Sequence, residues 1–385
     1  ELLVPYAEAL EQVAAGDPKG ALEAAGALRA RGAPEAALGV LVARALVALD
    51  EPTKALAEVD KALVADPGAF DALLLKAGIL VRLGRDTDLT LTLQAALRRP
   101  EAGAEAYVAA GRFLLLAGRL DEARQISEDA ARRGERSEAL DLLGQIVVRA
   151  QSGPAWPRSF EFKSSNYHVV SDIDADTCRK AALVLEDALA DFRAHVRSLK
   201  PEPRRLYRVY LFSGRATFQG YVGDALSLLG KAPEQAAGLY SPVLKQLLVW
   251  NLPDRDEMMR TIRHEGFHQY LDRLLPDPPV WLNEGLAVYF EALKRVGGEL
   301  KTDVVRDDFV KLLRSRPLVP MAEFARIRPD AFYRTSPHAY AQAWLVAHLL
   351  RHGSPRHKDL YRGLLSRLET VAGAEAVRAL LDDAA

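Results

Sequence analysis

Arg263-His264-Glu265-Gly266-Phe267-His268-Gln269, answered by Trp281-Leu282-Asn283-Glu284-Gly285-Leu286-Ala287, is the stretch whose reading decides the fold of the second half of the chain. The first segment is H-E-x-x-H. On a helix, His264 and His268 lie one turn apart on the same face. Two imidazoles so placed can take adjacent corners of a zinc tetrahedron. Glu265 points off their axis and sets a carboxylate beside the open metal position, where it can polarise a water. A five-residue pattern arises by chance, so the weight falls on Glu284. Fifteen residues lie between it and His268. That is enough for the rest of one helix, a turn, and the first turn of a second helix returning past the first.

The intervening text reads that way. Gln269 to Leu275 is compatible with helix, Pro276-Asp277-Pro278-Pro279 stops it, and Trp281 to Leu293 resumes an apolar helical pattern. Two histidines and one glutamate leave a fourth position open, which is the catalytic arrangement of zinc and not the closed structural one. Phe267, Tyr270 and Leu271 are expected to face the core. Asp256 and Glu257 suit the positive end of the helix dipole.

His264-Glu-Gly-Phe-His268 followed by Trp281-Leu-Asn-Glu-Gly-Leu-Ala-Val-Tyr-Phe-Glu291 resembles the gluzincin clan of zinc metallopeptidases. The second segment is similar to the W-L-N-E-G-[FL]-A element of M1 aminopeptidases and of the smaller peptidase MA-like proteins. The resemblance in layout runs from about Phe160 to the C-terminus, and its specific motifs fill only the residues just quoted. It implies zinc as cofactor, with His264, His268 and Glu284 as ligands and Glu265 as general base. It also implies that Glu291, two turns after Glu284, accepts the free N–H of a ligand histidine. Two departures set limits. The ligand spacing is shorter than in M1 enzymes, and no G-x-M-E-N segment stands upstream to hold a free amino terminus. Endopeptidase action is therefore expected in place of aminopeptidase action. Gluzincins also supply a tyrosine or histidine from well downstream to stabilise the oxyanion. Tyr333, His338 and Tyr340 lie in that region, and Tyr340 is preferred for its place near the start of a helix. The resemblance further implies that an edge strand beside the metal binds extended substrate. Gly238-Leu-Tyr240 and Lys245–Trp250 both qualify, the continuous apolar run in the second favouring an interior strand.

Residues 1 to 152 read differently. They are rich in Ala and Leu and repeat every 34 residues, with columns Ala9, Ala43, Ala77, Gly111; Ala21, Ala55, Leu89, Ala123; and Leu28, Ala62, Ala96, Ala130. A turn column runs Gly16, Asp50, Gly84, Gly118, and Pro34, Pro67 and Pro100 stand near the repeat ends. Small residues let paired helices approach, and each pair buries its remaining apolar face on the next. This resembles the tetratricopeptide (TPR) repeat. Four units and a capping helix near Ser137–Arg149 are expected. A TPR-like array implies a groove for a protein partner or substrate, and it serves equally as a rigid shelf.

Gln151-Ser-Gly-Pro-Ala-Trp-Pro157 breaks the helical pattern and marks the domain boundary. Beyond it, Phe160–Lys163 and Tyr167–Ser171 alternate like a hairpin, Thr177 to Leu199 is a long amphipathic helix, and Arg208–Phe212, preceded by Pro201 and Pro203, is a strand. The fold class expected is α plus α+β. A TPR-like solenoid over 1–152 precedes a metallopeptidase-like domain over 158–385. That domain divides into an α+β lobe (158–253), metal-binding helices (254–295) and a helical lobe (296–385). His348 and His352 are also one turn apart, but no carboxylate accompanies them at helical spacing and no second metal is expected.

Composition sets the outer limits. The chain has 385 residues, 49% hydrophobic and 27% charged, with Lys+Arg 51 against Asp+Glu 52. The resulting formal charge of −1 gives no footing for nucleic acid or an acidic membrane surface. No apolar run approaches a transmembrane span, and the single cysteine, Cys178, excludes an intrachain disulfide. The sequence begins at Glu1 without methionine, as after removal of a leader or after trimming. A periplasmic or secreted setting is expected for such a protease. The activity expected is peptide-bond hydrolysis, with Glu265 taking the proton of the attacking water and passing it to the leaving amine. The rival expectation is a TPR interaction or scaffold protein with an inactive zinc domain. A zinc hydrolase acting on something other than peptides would carry identical ligands.

Overall fold

The computed structural model describes residues 2–99, 102–196, 205–226, 236–275, 277–296 and 299–384. Pro100, Leu199, Pro201, Pro203 and Pro276, used above, lie outside the described residues. The chain divides into two compact units, Glu1–Val147 and Val148–Ala385.

The first unit is a row of helical pairs: α1 (Leu3–Ala14) with α2 (Pro18–Ala30), α3 (Glu35–Ala48) with α4 (Pro52–Ala65), α5 (Phe70–Arg82) with α6 (Asp86–Leu97), and α7 (Ala104–Leu116) with α8 (Leu120–Arg132). All four residues of the Ala21 column are fully buried, and the Ala9 and Leu28 columns are buried throughout. A Cβ on Gly111 would meet the side-chain end of Leu143, which would have to shift to admit an alanine there. The turn column has one conformation in every repeat. Gly16, Asp50, Gly84 and Gly118 all have positive φ (+87°, 62°, 62° and 73°). The residue after each donates its N–H back to the carbonyl five positions earlier, closing the first helix of the pair as a Schellman cap. Asp50 is the one non-glycine there, and aspartate tolerates that region better than most residues.

The ninth helix, α9 (Glu138–Ser152), contains the division. Its last turn belongs to the second unit for a hydrogen-bonding reason. The carbonyls of Arg149 and Ala150, at the end of the helix, accept from Gln246 Nε2, and Ala150 and Gln151 accept from Arg208. The break at Gln151–Pro157 thus lies a few residues downstream of the division.

The second unit opens with β1 (Phe160–Lys163) and β2 (Tyr167–Ser171), an antiparallel pair, then α10 (Ala175–His195), β3 (Tyr207–Phe212), α11 (Arg215–Leu226), β4 (Gly238–Ser241) and β5 (Gln246–Trp250). The sheet order is β1-β2-β3-β5-β4, with β2, β3 and β5 parallel and β4 antiparallel to β5. The crossovers carry α10 and α11, which is what parallel neighbours require. Leu247, Leu248 and Val249 are fully buried, as an interior strand covered on both faces should be. Of the two candidate strands β4 is therefore the one at an edge, the opposite edge being β1, and Lys245–Trp250 is excluded from that role.

Two long helices follow: α12 (Arg255–Asp272) and α13 (Val280–Ala292). Asp254 caps α12 by accepting from the amides of Asp256 and Glu257. A hairpin of β6 (Lys294–Val296) and β7 (Glu299–Lys301) leads into α14 (Asp307–Ser315), α15 (Met321–Phe324), α16 (Pro329–Arg334), α17 (His338–His352), α18 (Pro355–Leu368) and α19 (Gly373–Ala384). The core behind the motif is aromatic. Phe267 of α12 stacks on Phe290 of α13 with centroids 4.9 Å apart, and Phe192 of α10 meets both edge-on. Tyr270 and Leu271 are buried in the same core. No described helix is long and apolar enough to cross a membrane.

Candidate metal centre

Helix α12 presents His264 and His268 on the face turned toward α13, where Glu284 sits in the second turn. Glu284 Oε2 lies 3.5 Å from His264 Nε2 and 3.5 Å from His268 Nε2. The three donor atoms all lie within 4.8 Å of one another. Among the described residues this is the one group of three such donors able to hold a metal.

Each histidine is turned so that Nε2 faces this point, because its Nδ1 is engaged behind it. His264 Nδ1 meets Glu291 Oε2 at 3.2 Å, and His268 Nδ1 meets Asn283 Oδ1 at 2.8 Å. Both partners come from α13, seven residues after Glu284 and one before it. Arg306, just ahead of α14, stands 3.9 Å from the other oxygen of Glu291. Glu284 is itself steered. Tyr333 of α16 donates its hydroxyl proton to Oε1 at 2.8 Å, leaving Oε2 for the histidine pair.

These residues fit a zinc ion by two observations. Glu284 Oε2 is buried with no hydrogen-bond partner, and a carboxylate oxygen taken from water needs a compensating partner. Its 3.5 Å spacing from each Nε2 is long for a hydrogen bond. It is close to the roughly 3.4 Å edge of a tetrahedron whose ligands lie about 2.0–2.1 Å from zinc. Two imidazoles and a carboxylate are also the chemistry zinc accepts.

The electrostatics point the same way. Burial would depress the imidazolium of His264, but Glu284 and Glu291 outweigh it and raise it well above the ordinary range. His268 is raised against burial by Glu284. Burial would raise Glu284, yet the two histidines hold it well below the usual carboxylate range. The trio could hold a metal ion, and without one the two imidazoles are drawn toward their protonated form by the carboxylates around them.

Glu265 lies on the wall of the same cleft, a space of about 640 Å³ bounded also by Gly238, Leu239, Tyr240, Asp272, Tyr333 and Tyr340. The backbone N–H of Tyr240, on β4, donates to Glu265 Oε2 at 2.7 Å. That amide points away from β5, so the edge strand itself aims the carboxylate. The hydroxyl of Tyr240 and the ammonium of Lys245 both donate to Asp272 Oδ2, at 2.6 and 2.8 Å, tying β4 to the end of α12.

Tyr340, in the first turn of α17, lines the cleft and packs edge-on against Phe332, with Tyr333 6.5 Å away. Burial, then the Glu284 carboxylate, push its phenol far up, so it stays protonated and able to donate. His338 is buried and is not among the residues lining the cleft. The rings of His348 and His352 lie 4.6 Å apart, tilted by 33°, and His352 Nε2 meets the Tyr289 hydroxyl at 3.0 Å. They form a polar contact in the helical lobe.

Glycine 285 explains how α17 comes so near. A Cβ there would fall on the backbone carbonyl of Ala343, so only glycine lets the two helices approach at this level. Sequence reasoning missed three participants: Asn283, the amide of Tyr240, and Tyr333 as the partner of Glu284. Asn283 carried a signal, standing next to Glu284 on the turn that faces His268. The other two depend on pairing between distant segments and left none.

Residues 258–364 match the model of a family described as "Protein of unknown function (DUF1570)". The matched segment runs from α12 into α18 and contains the three donors, Glu265, Glu291, Tyr333 and Tyr340. No curated protein matches the chain.

Proposed function

We propose that the second unit is a gluzincin-type zinc peptidase that cuts within chains, and that the helical repeats ahead of it are TPR-like and hold a protein partner or the substrate. The observation that carries this reading is the buried, unpartnered Glu284 Oε2 lying 3.5 Å from two imidazole nitrogens, with Glu265 on the wall beside it. His264, His268 and Glu284 would hold the ion. Zinc bound there supplies Lewis acidity, polarising a carbonyl and acidifying water. Glu265, aimed by the Tyr240 amide, takes the proton of the attacking water and returns it to the leaving amine. Tyr340 donates to the oxygen on which negative charge develops. The outward-facing backbone groups of β4 other than the Tyr240 amide, which Glu265 holds, are suited to pair with an extended peptide.

Cleavage within chains is favoured by the charge on the cleft wall. Beyond Glu265 and Glu284, the one carboxylate lining it is Asp272, already engaged by Tyr240 and Lys245. No unoccupied acid among the described lining residues is left to hold a free amino terminus.

The test is metal analysis together with digestion of a proteome-derived peptide library. Wild type should carry about one zinc per chain and cleave the library. Glu265→Gln should keep the metal and lose turnover. A folded chain free of metal after gentle purification, or a Glu265→Gln variant that cleaves at the wild-type rate, would overturn the reading.

A further inference from the structure

A second cleft, of about 520 Å³, opens between the C-terminal end of α10, the last turns of α17, and α18. Its apolar lining comes from Ala194, Leu350, Tyr361 and Leu365. Three cations stand on its walls, Arg351, Lys358 and Arg362, against one carboxylate, Glu369. Arg362 is held by Asp359 of its own helix. Arg351 has no such partner. Its guanidinium lies over the faces of Tyr289 and Tyr361, 4.9 and 5.7 Å from the ring centroids. Its Nε is buried without a hydrogen bond. Among the described residues no carboxylate comes within ion-pair distance of Arg351 or of Lys358.

Arg351 is only half-buried, but its Nε is cut off from water with no acceptor, and a donor left unmatched in this way is costly. The negative end of α17 accounts for a cation in its last turn, but not for burying that cation's Nε with no acceptor. Its charge is felt nearby. His195, His348 and His352 are each pushed down, by burial first, with Arg351 adding to the shift. Cation–π contact and the Tyr361 hydroxyl orient the guanidinium while leaving Nε to be matched, and a planar fork suits a carboxylate or a phosphate.

We propose that this cleft binds an anionic ligand with an apolar body, a carboxylate or phosphate monoester whose head meets Arg351 and Lys358 while its chain or ring lies against Leu350, Tyr361 and Leu365. The site is distinct from the metal centre. It shares no lining residue with the first cleft, and the inference does not depend on peptidase activity.

Calorimetric titration and thermal melts of the full chain test it, with octanoate, octyl phosphate, inorganic phosphate, octylamine and 1-octanol as probes. Octanoate or octyl phosphate should bind and raise the melting temperature, the tighter of the two identifying the head group. Inorganic phosphate, octylamine and octanol should bind far more weakly. Arg351→Met should weaken binding about 10- to 100-fold and, having lost a half-buried cation whose Nε has no acceptor, melt no lower than wild type without ligand. Lys358→Gln, at an exposed position, should fold normally and weaken binding less. Failure of both octyl anions to bind wild type would overturn the proposal. So would unchanged affinity in both variants, as expected if the anion had gone to the metal centre. Equal binding of octylamine would overturn the charge argument, and equal binding of inorganic phosphate the apolar one.

Discussion

Replacing Glu291 by Gln tests the metal centre without a substrate. The change keeps the side-chain length and leaves an oxygen to accept from His264 Nδ1, now 3.2 Å from Glu291 Oε2, while removing one charge. A carboxylate one imidazole ring away from a divalent ion stands about 7 Å from it, which at an effective dielectric of about 20 is roughly 5 kcal/mol of attraction. Arg306, 3.9 Å from the other oxygen, and residual hydration cancel part of that. Losing such an outer partner costs about 10- to 100-fold in metal affinity, or about 1.4–2.7 kcal/mol. That range is the expected loss. Asn283→Ala removes a neutral acceptor, 2.8 Å from His268 Nδ1, and should lie at the weaker end, about tenfold.

The assay is zinc competition against a chromophoric chelator at neutral pH, with circular dichroism to confirm that each variant is folded. Because the two partners orient different histidines, their losses should add in the double variant. Zinc affinity in Glu291→Gln within about twofold of wild type, against the 10-fold minimum expected, would refute the claim that this carboxylate sets the site's electrostatics.

Three further outcomes follow from the geometry. Tyr340→Phe should lower kcat about 10²- to 10³-fold with zinc retained, as loss of an oxyanion donor does, whereas Tyr333→Phe, which frees Glu284 Oε1, should weaken zinc binding first; the reverse pattern would exchange their roles. In metal-free protein, His264 and His268 are raised above 6.5 and Glu284 and Glu291 lowered below 4.5, in each case against burial. The histidines contribute stability that is present below about 6.5 and lost as pH rises through their folded values; the carboxylates contribute above about 4.5 and lose it as pH falls through theirs. Thermal melts in chelator should therefore be highest between those two values and fall toward pH 8, while zinc-loaded protein should gain over pH 6–8, since ligation needs neutral imidazoles; parallel profiles would count against the site. Gly285→Ala should cost about 1–3 kcal/mol in urea unfolding, because the added methyl meets the backbone of Ala343. Gly266→Ala, which meets only a methyl of Leu185, should cost less.

How much of this was legible in the sequence depended on whether a feature is encoded along the chain or across it. His264, His268 and Glu284 could be placed because helical periodicity fixes two of them and a helix–turn–helix length fixes the third. The 34-residue columns could be placed because close helix packing demands small residues at a fixed interval, and those positions are buried. The hairpin at Phe160–Ser171 was readable from alternation, and its register pairs Phe160 with Ser171. The edge strand was not readable. Gly238–Ser241 is four residues with no strong pattern, and its place at the end of the sheet follows from pairing with β5, a property of two segments. Yet that placement turns the Tyr240 amide toward Glu265. Tyr333 is a similar case. In sequence it is one aromatic among several, and only the fold of α16 against α13 brings its hydroxyl to Glu284. The donors themselves come from local periodicity, while the groups that aim them come from tertiary contact. Glu291, two turns after Glu284, and Asn283, its neighbour in sequence, fall between the two, being tertiary partners carried on the same helix as Glu284, and for that reason the affinity of their variants is the sharpest measure of whether the centre was read correctly.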